Sequence, residues 1–296
     1  MDVSVIIVNY NTCILTRNCL QSIFEQSKDI DFEVIVSDNG STDGSIEMIK
    51  NEFPQVFLIE NNANLGFGKA NNVGYKYAKG KYIFLLNSDT ILLNNAIKIF
   101  FDVMQILPSN IACVGCSLVN KQGDLIHSYG NYPTFWNELL RRPFAFLKKF
   151  VKINQGFDTS PYIPINNECF IVEYVTGADL FIRKNVIEQC GLFDEDFFMY
   201  YEETEMQYRY RQNGYFSCIT TKPQIQHLVG GSNKSNRKMG KDLKSMLLCY
   251  EKIYGKSRCM LFKIFLFCIS LPIVALDFRF PLNNRVKYLK NILITE

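Results

Sequence analysis

The sequence predicts an α/β fold: a mixed, mostly parallel sheet flanked by helices, followed by a C-terminal helical extension. Three observations lead there. Strand and helix patterns alternate from Val3 to His127. Tyr82 to Leu86 is an unbroken apolar and aromatic run, which suits a strand buried on both faces. It stops abruptly at Asn87, Ser88, Asp89 and Thr90, and two earlier strands end in the same polar way. Ligands of such sheets bind beyond the carboxyl ends of the strands, so these polar ends mark the candidate site.

The elements follow in order. Val3 to Val8 is β-branched and apolar, a strand ending at Asn9, Tyr10 and Asn11. Thr12 is expected to cap a helix through Gln26, with Leu15, Cys19, Leu20, Ile23 and Phe24 on one face. Phe32 to Val36 is the second strand, ending at Ser37, Asp38, Asn39 and Gly40, and a helix is expected to open at Ser41 and run to Asn51. Val56 to Ile59 is a short third strand. An Asn- and Gly-rich stretch, Glu60 to Gly74, leads into a helix toward Ala78. After the Lys81 to Asn87 strand comes a helix from about Asn94 to Leu107, stopped by Pro108. Ile111 to Val119 and Leu125 to His127 read as strands around a turn at Gly123. Cys169 to Arg183 reads as strands, Lys184 to Gln189 as a helix, then a helix to about Gln212 and a strand from Tyr215 to Ile219.

Two segments break the rhythm. From 132 to 166, Phe135, Trp136, Leu139, Leu140, Phe144 and Phe146 are interleaved with Arg141, Arg142, Lys148 and Lys149, which suits a helix on the core or on a membrane surface. Cys259 to Leu276 is strongly apolar but holds Lys263 and Pro272. It falls short of a spanning helix and is expected to lie in an interface with Lys263 snorkelling, or to pack as a core helix. The resulting organisation is one unit over 1–232, with an insert at about 132–166, and a helical extension over 233–296.

Composition narrows the function. Of 296 residues nearly half are apolar, enough for a large core, and a net charge of +3 gives no footprint for nucleic acid. The ten cysteines lack a disulfide rhythm, and Cys113 and Cys116 sit in an apolar strand as core residues, which fits a reducing cytoplasm. Met1 to Val5 offers no basic leader, so no secretory signal is expected.

The polar strand ends suggest chemistry. Asp89, flanked by small polar residues, can hold a hard divalent cation against phosphate. Asp38 beside Asn39 can accept the imide N–H of a uracil or thymine ring, and Tyr10 can cover the ring face. Asn64 to Lys69 can bring backbone N–H groups and a charge to phosphate or ribose, although no Walker or dinucleotide pattern is present. Glu202, Glu203 and Glu205 follow the aromatic run Phe197 to Tyr201. Carboxylates seated there are candidates for a general base, or simply the acidic first turn of a helix. His227 at a strand end can complete a metal shell, whereas His127 reads as structural.

These motifs, in this order, resemble the family-2 glycosyltransferases of GT-A fold, and within them the bacterial rhamnosyltransferase-like branch. The matching segments are Val3 to Asn11, Asp38 to Gly44, Asn64 to Asn72, Leu85 to Asp89, Thr176 to Ala178, Gly191 to Asp194 with Phe197 to Glu203, and His227 to Ser232. The resemblance implies a Rossmann-like sheet and transfer of a sugar with inversion from a UDP- or dTDP-sugar, with dTDP-rhamnose among the options. Asp38 would recognise the base, and Asn9, Tyr10, Asn11, Asn39, Gly66, Lys69, Asn72, Asn87 and Ser88 would line the donor. Asp89 matches the second acid of the D-x-D motif, whose first acid is here Asn87, and with His227 would hold Mg2+ or Mn2+. Glu203 matches the base, with Glu202 and Glu205 as alternatives. Gly177, Ala178 and Asp179 would lie on the acceptor side. The implied acceptor is a glycan or polyprenyl-linked sugar, met by peripheral contact at the inner face of the cell membrane. A sugar nucleotidyltransferase and an inactive sugar-nucleotide-binding scaffold are the competing readings.

Overall fold

The computed structural model describes residues 1–141, 163–165, 168–228, 242–275 and 282–293. The first half alternates as expected: β1 (Val3–Asn9), α1 (Cys13–Gln26), β2 (Phe32–Asp38), α2 (Ser45–Glu52), β3 (Phe57–Glu60), α3 (Phe67–Tyr75) and β4 (Tyr82–Asn87). Then come β5 (Thr90–Leu92), α4 (Ala96–Ile106), β6 (Ile111–Cys116), β7 (Tyr129–Gly130) and α5 (Phe135–Arg141). The second half holds β8 (Ile163–Pro164), β9 (Cys169–Val172), β10 (Tyr174–Val175), β11 (Asp179–Arg183), α6 (Lys184–Cys190), α7 (Glu202–Gln212), β12 (Phe216–Thr220) and β13 (Ile225–His227). Helices α8 (Leu243–Tyr254), α9 (Lys256–Ala275) and α10 (Leu282–Leu293) end the described chain.

Among the described residues the main sheet has the order β3-β2-β1-β4-β11-β6-β12-β9-β8. β1 pairs in parallel with β2 and β4, β2 with β3, and β6 with β12. β11 runs against both β4 and β6, and β9 against β12 and β8. Only β9 and β11 therefore oppose the common direction, giving a mixed, mostly parallel sheet.

β4 shows why the central run is continuously apolar. Tyr82, Phe84 and Leu86 enter the core on one face, and Ile83 and Leu85 enter the core on the other. Phe84, Phe100 and Phe181 pack with ring centroids 5.3–5.7 Å apart. Burying one such phenyl ring contributes about 1.5–3 kcal/mol. On the opposite face, a Cβ on Gly74 would come within 2.7 Å of the Ile6 Cγ2, so glycine lets α3 press onto β1.

Several local expectations change. Thr12 does not cap α1 with its side chain; its hydroxyl donates instead to the Asn9 Oδ1 at 2.6 Å. α2 opens at Ser45 rather than Ser41, because Ser41 and Thr42 are engaged with Asp38 and Asn11. The strand from Ile111 ends at Cys116, and Leu125 to His127 contributes one bridge, Val119 to Leu125, with the strand falling at Tyr129–Gly130. Cys113 and Cys116 are buried free thiols of β6. Lys263 does not snorkel outward but lies buried on the inner face of α9. Among the described residues no helix is long and apolar enough to cross a membrane. Residues 142–162 and 166–167 of the expected insert and residues 230–232 lie outside the described residues.

Candidate active site

The carboxyl ends of β1, β2 and β4 meet at one rim, where an unbroken chain of hydrogen bonds joins their loops. Asp38 is wholly buried. Its Oδ1 accepts the N–H groups of Gly40 and Ser41 at 3.0 and 2.8 Å, and its Oδ2 accepts the Asn9 Nδ2 at 2.5 Å and the Ser41 hydroxyl at 2.7 Å. Asn9 passes the chain to Thr12, whose Oγ1 lies 3.2 Å from the Ser88 Oγ. Asp89 is the next residue. Thr16 closes the network by donating to the Asn9 Oδ1 at 2.7 Å.

This geometry revises the expected role of Asp38. A carboxylate has about four acceptor positions, and all four are filled, three by its own loop and one by Asn9 of β1. As folded, Asp38 shapes the loop rather than offering an oxygen to a nucleobase. Several neighbours are similarly committed. Asn11, in the left-handed region, accepts from the Thr42 N–H at 2.8 Å. Asn39 is buried and donates to the Gly66 carbonyl at 3.0 Å while accepting from the Asn61 Nδ2. Asn72 brackets the Phe193 backbone, donating to its carbonyl at 2.8 Å and accepting its N–H at 3.2 Å, so it is a clamp and not a free donor contact. Lys69 meets Glu195 at 3.4 Å with both side chains about half exposed, a surface pair worth little. Tyr10 stands open at 46% exposure, free to stack on a flat ring.

Gly66 joins this rim to the second half of the chain. Its φ is +85°, and a Cβ there would lie 2.2 Å from the Phe198 carbonyl oxygen. Only glycine fits, and it lets the Phe67 N–H donate to that carbonyl at 2.9 Å.

Asp89 and His227, far apart in sequence, meet at the same rim. β13 pairs antiparallel with β5, setting His227 opposite Thr90. The His227 Nε2 then lies 3.2 Å from the Asp89 Oδ1, and the Leu228 N–H donates to the Asp89 carbonyl at 2.8 Å. One carboxylate and one imidazole suit a divalent cation that completes its shell with phosphate and water. Among the described residues no cluster of three or more His, Cys, Asp or Glu adds to them.

The three glutamates of α7 are separated by their surroundings. Tyr200 and Tyr201 both adopt left-handed φ, +72° and +69°, immediately before the helix. Non-glycine residues rarely hold this conformation, and it turns the first residues of α7 into the rim. Glu205 is ion-paired to Arg209 at 3.1 Å, and Arg209 also donates to the carbonyls of Cys190, Gly191 and Leu192. Glu205 is therefore a structural anchor, which removes it as an alternative base. Glu202 is buried and its Oε2 has no hydrogen-bond partner. Burial raises the Glu202 carboxyl well above its ordinary range, and the neighbouring Glu203 charge raises it further. Glu203 is half-buried; burial raises it too, while the N–H groups of Thr204 and Gly177 pull it back.

Gly177 is held where it can do this. The Asn87 N–H donates to the Ala178 carbonyl at 3.0 Å, tying the loop before β11 to the end of β4. Gln207, wholly buried one turn beyond Glu203, accepts the Val175 N–H at 2.8 Å and donates to the Val175 carbonyl at 2.7 Å. Neither Gln207 nor Thr16 stands out in the sequence, and Thr12 and Ser41 stand out there only as helix starts. A lone Gln inside an acidic helix turn carries no local signal, whereas the hydroxyls beside Asn9 and Asp38 could have been suspected as partners. Asp179, expected on the acceptor side, is instead buried in β11 with its Oδ2 accepting the Cys116 N–H at 2.6 Å. Its Oδ1 has no partner, and burial pushes its carboxyl up to about 7.

Sequence and fold both match known proteins. The family model for glycosyl transferase family 2 matches residues 4–170, more than half of the chain. The chondroitin synthase of Pasteurella multocida is 32% identical over 143 residues, 47% of this chain but only 14% of that protein. The N-acetylglucosaminyl-diphospho-decaprenol L-rhamnosyltransferase of Mycobacterium tuberculosis is 25% identical over 232 residues, covering 74% of this chain and 72% of that one. A mannosyltransferase from Pyrobaculum calidifontis, solved with GDP-Man and Mn2+, superposes with a TM-score of 0.55 at 16% identity, over 97% of this chain and 78% of its own, which shows the fold. With a GT-A sheet carrying its polar strand ends on one rim, the chain belongs to glycosyl transferase family 2.

Proposed function

We propose that this protein transfers a sugar, with inversion, from a UDP- or dTDP-sugar to a hydroxyl of a glycan or polyprenyl-linked acceptor at the inner face of the cell membrane. The observation that supports it best is the pairing of Asp89 with His227 at 3.2 Å on the rim to which Asn87, Ala178 and Gly177 link Glu203. The name of the M. tuberculosis relative, a rhamnosyltransferase acting on a diphospho-decaprenol sugar, favours a lipid-diphosphate acceptor and keeps dTDP-rhamnose among the donors.

Asp89 and His227 would hold Mg2+ or Mn2+, as the Mn2+ in the P. calidifontis structure suggests. A bound cation supplies electrostatic stabilisation of the departing diphosphate. Tyr10 stacks on the base, and the backbone of the Asp38 loop and of Gly66 borders the donor. Glu203 takes the proton of the acceptor hydroxyl as that oxygen attacks the sugar's anomeric carbon from the face opposite the diphosphate. Glu202, more deeply buried, is raised further and holds its proton more tightly, which leaves Glu203 the carboxylate of the pair better placed to act as base. Residues 1–232 form the transferase unit in this reading and 233–296 its extension, which has an apolar cluster of its own.

The test is direct. Purified protein is incubated with labelled UDP- and dTDP-sugars and a polyprenyl-diphosphate sugar, with Mn2+ or with EDTA. Metal-dependent transfer that inverts the anomeric centre is expected, and Asp89→Asn should raise the Mn2+ concentration needed for half-maximal rate about tenfold or more. Donor binding without turnover under every condition would make the protein a binding scaffold instead.

A further inference from the structure

Helix α9 is apolar on both its buried and its exposed face. Its inner face, packed on α8 and α10, carries Cys259, Phe262, Leu266 and Val274, but also Lys263 and Ser270, both buried. The Ser270 hydroxyl has no hydrogen-bond partner. Its outer face carries Met260, Leu261, Ile264, Phe265 and Leu271, all exposed. The intervals 260, 261, 264, 265 and 271 place these side chains on one helical stripe. Trp136 of α5 is 66% exposed beside it: its neighbour Phe135 packs edge-on against Phe262 and Phe265, with centroids 5.7 and 5.6 Å apart. Soluble surfaces rarely gather so many large apolar side chains in one stripe without a partner.

The charge around the stripe names the partner. Across the described residues 242–275 and 282–293, Lys and Arg outnumber Asp and Glu eight to two, with Lys252 paired to Asp194 and Asp196 and Lys263 buried. Lys256 and Arg258 are exposed at the start of α9 and flank the two edges of the stripe. An apolar stripe rimmed by cations, with an indole alongside, is what a helix lying in the headgroup layer presents. We infer that the α9 stripe, with Trp136 alongside and Lys256 and Arg258 at its edges, is a bilayer-docking surface for anionic lipid. This deepens the membrane-face location proposed above and rests on it; the orientation is the reverse of a snorkelling Lys263.

The experiment uses the full chain and vesicles of phosphatidylcholine alone or with about 30% phosphatidylglycerol. Wild type should sediment with the anionic vesicles and release at high salt. Leu261→Glu combined with Ile264→Glu should weaken that partition at least tenfold with thermal unfolding unchanged. Lys256→Glu with Arg258→Glu should lower it about fivefold or more per charge and abolish the preference for phosphatidylglycerol. Wild-type protein that ignores both vesicle types would overturn the inference. So would a wild-type dimer, seen by light scattering, that the Leu261 and Ile264 substitutions split into monomers, since the stripe would then face a second copy. Transfer to a water-soluble acceptor, measured in parallel, keeps the two readings apart: vesicle binding without transfer defeats the transferase reading and leaves the docking surface standing.

Discussion

The two sides of the rim are built on opposite terms. On the β1–β2–β4 side, the polar atoms of Asn9, Asp38, Ser41, Thr12 and Thr16 satisfy one another in a closed network. On the α7 side, Glu202 keeps a buried oxygen without a partner, Glu203 is raised by burial, and two tyrosines hold left-handed backbone. A satisfied network gives rigidity, and a partly satisfied one stores reactivity. The first side is thus a preassembled floor, and the second holds the groups whose protonation is easily changed.

Substitutions can break or sharpen that contrast. The largest effect is expected at Glu203: Glu203→Gln should lower kcat about 10²–10⁴-fold while the melting temperature stays within a degree or two, since the base has little structural duty. Unchanged turnover would move the base elsewhere. Asp38→Ala should do the opposite. It leaves the Asn9 amide and the Gly40 and Ser41 N–H groups without their acceptor, so chemical denaturation should show a loss of about 2–4 kcal/mol. A variant of normal stability that binds donor poorly would instead make Asp38 a direct base contact.

Gln207 tests the link between the halves. Gln207→Leu removes both hydrogen bonds to Val175 and should reduce kcat about tenfold with donor KM unchanged, because Gly177 would lose its position at Glu203. An equal loss in donor KM would mean that the clamp serves the fold as a whole. The smallest effect on turnover is expected at Asp179, where the change is in stability and its sign follows from burial. Its carboxyl is pushed from 3.8 up to about 7, so folding favours the protonated form. That contribution is complete below about pH 4 and is lost as pH rises through 7. Asp179→Asn never takes the charge and should be more stable than wild type by about 1–3 kcal/mol at pH 8, with the gap closing at pH 4. Denaturation curves at the two pH values would check this, and a gap that widens toward acid would refute it.

Much of this was legible in the chain. The unbroken apolar run of β4 announced a strand covered on both faces, and Asn87 to Thr90 announced the end of that strand at a site. The family resemblance placed Asp89 and His227 on the same site before any geometry was known, and their side chains do meet. What stayed hidden was how polar atoms are shared out. Asp38, Asn39, Asn72 and Glu205 have the right chemistry for a ligand, yet each spends its oxygens or amide on the protein itself. Lys263 was likewise misread, because the amphipathic pattern of α9 fixes which residues share a face but not which face turns outward.

The division has a physical reason. Periodicity and strand-end chemistry are local properties, set by backbone geometry and by the free energy of burying consecutive side chains, and the sequence alone determines them. Hydrogen-bond partnership, the lift that burial gives to Glu202, Glu203 and Asp179, and the outward turn of the α9 stripe depend on which distant groups arrive nearby. Desolvation and pairing act between groups brought into contact through space, so only the tertiary structure decided them.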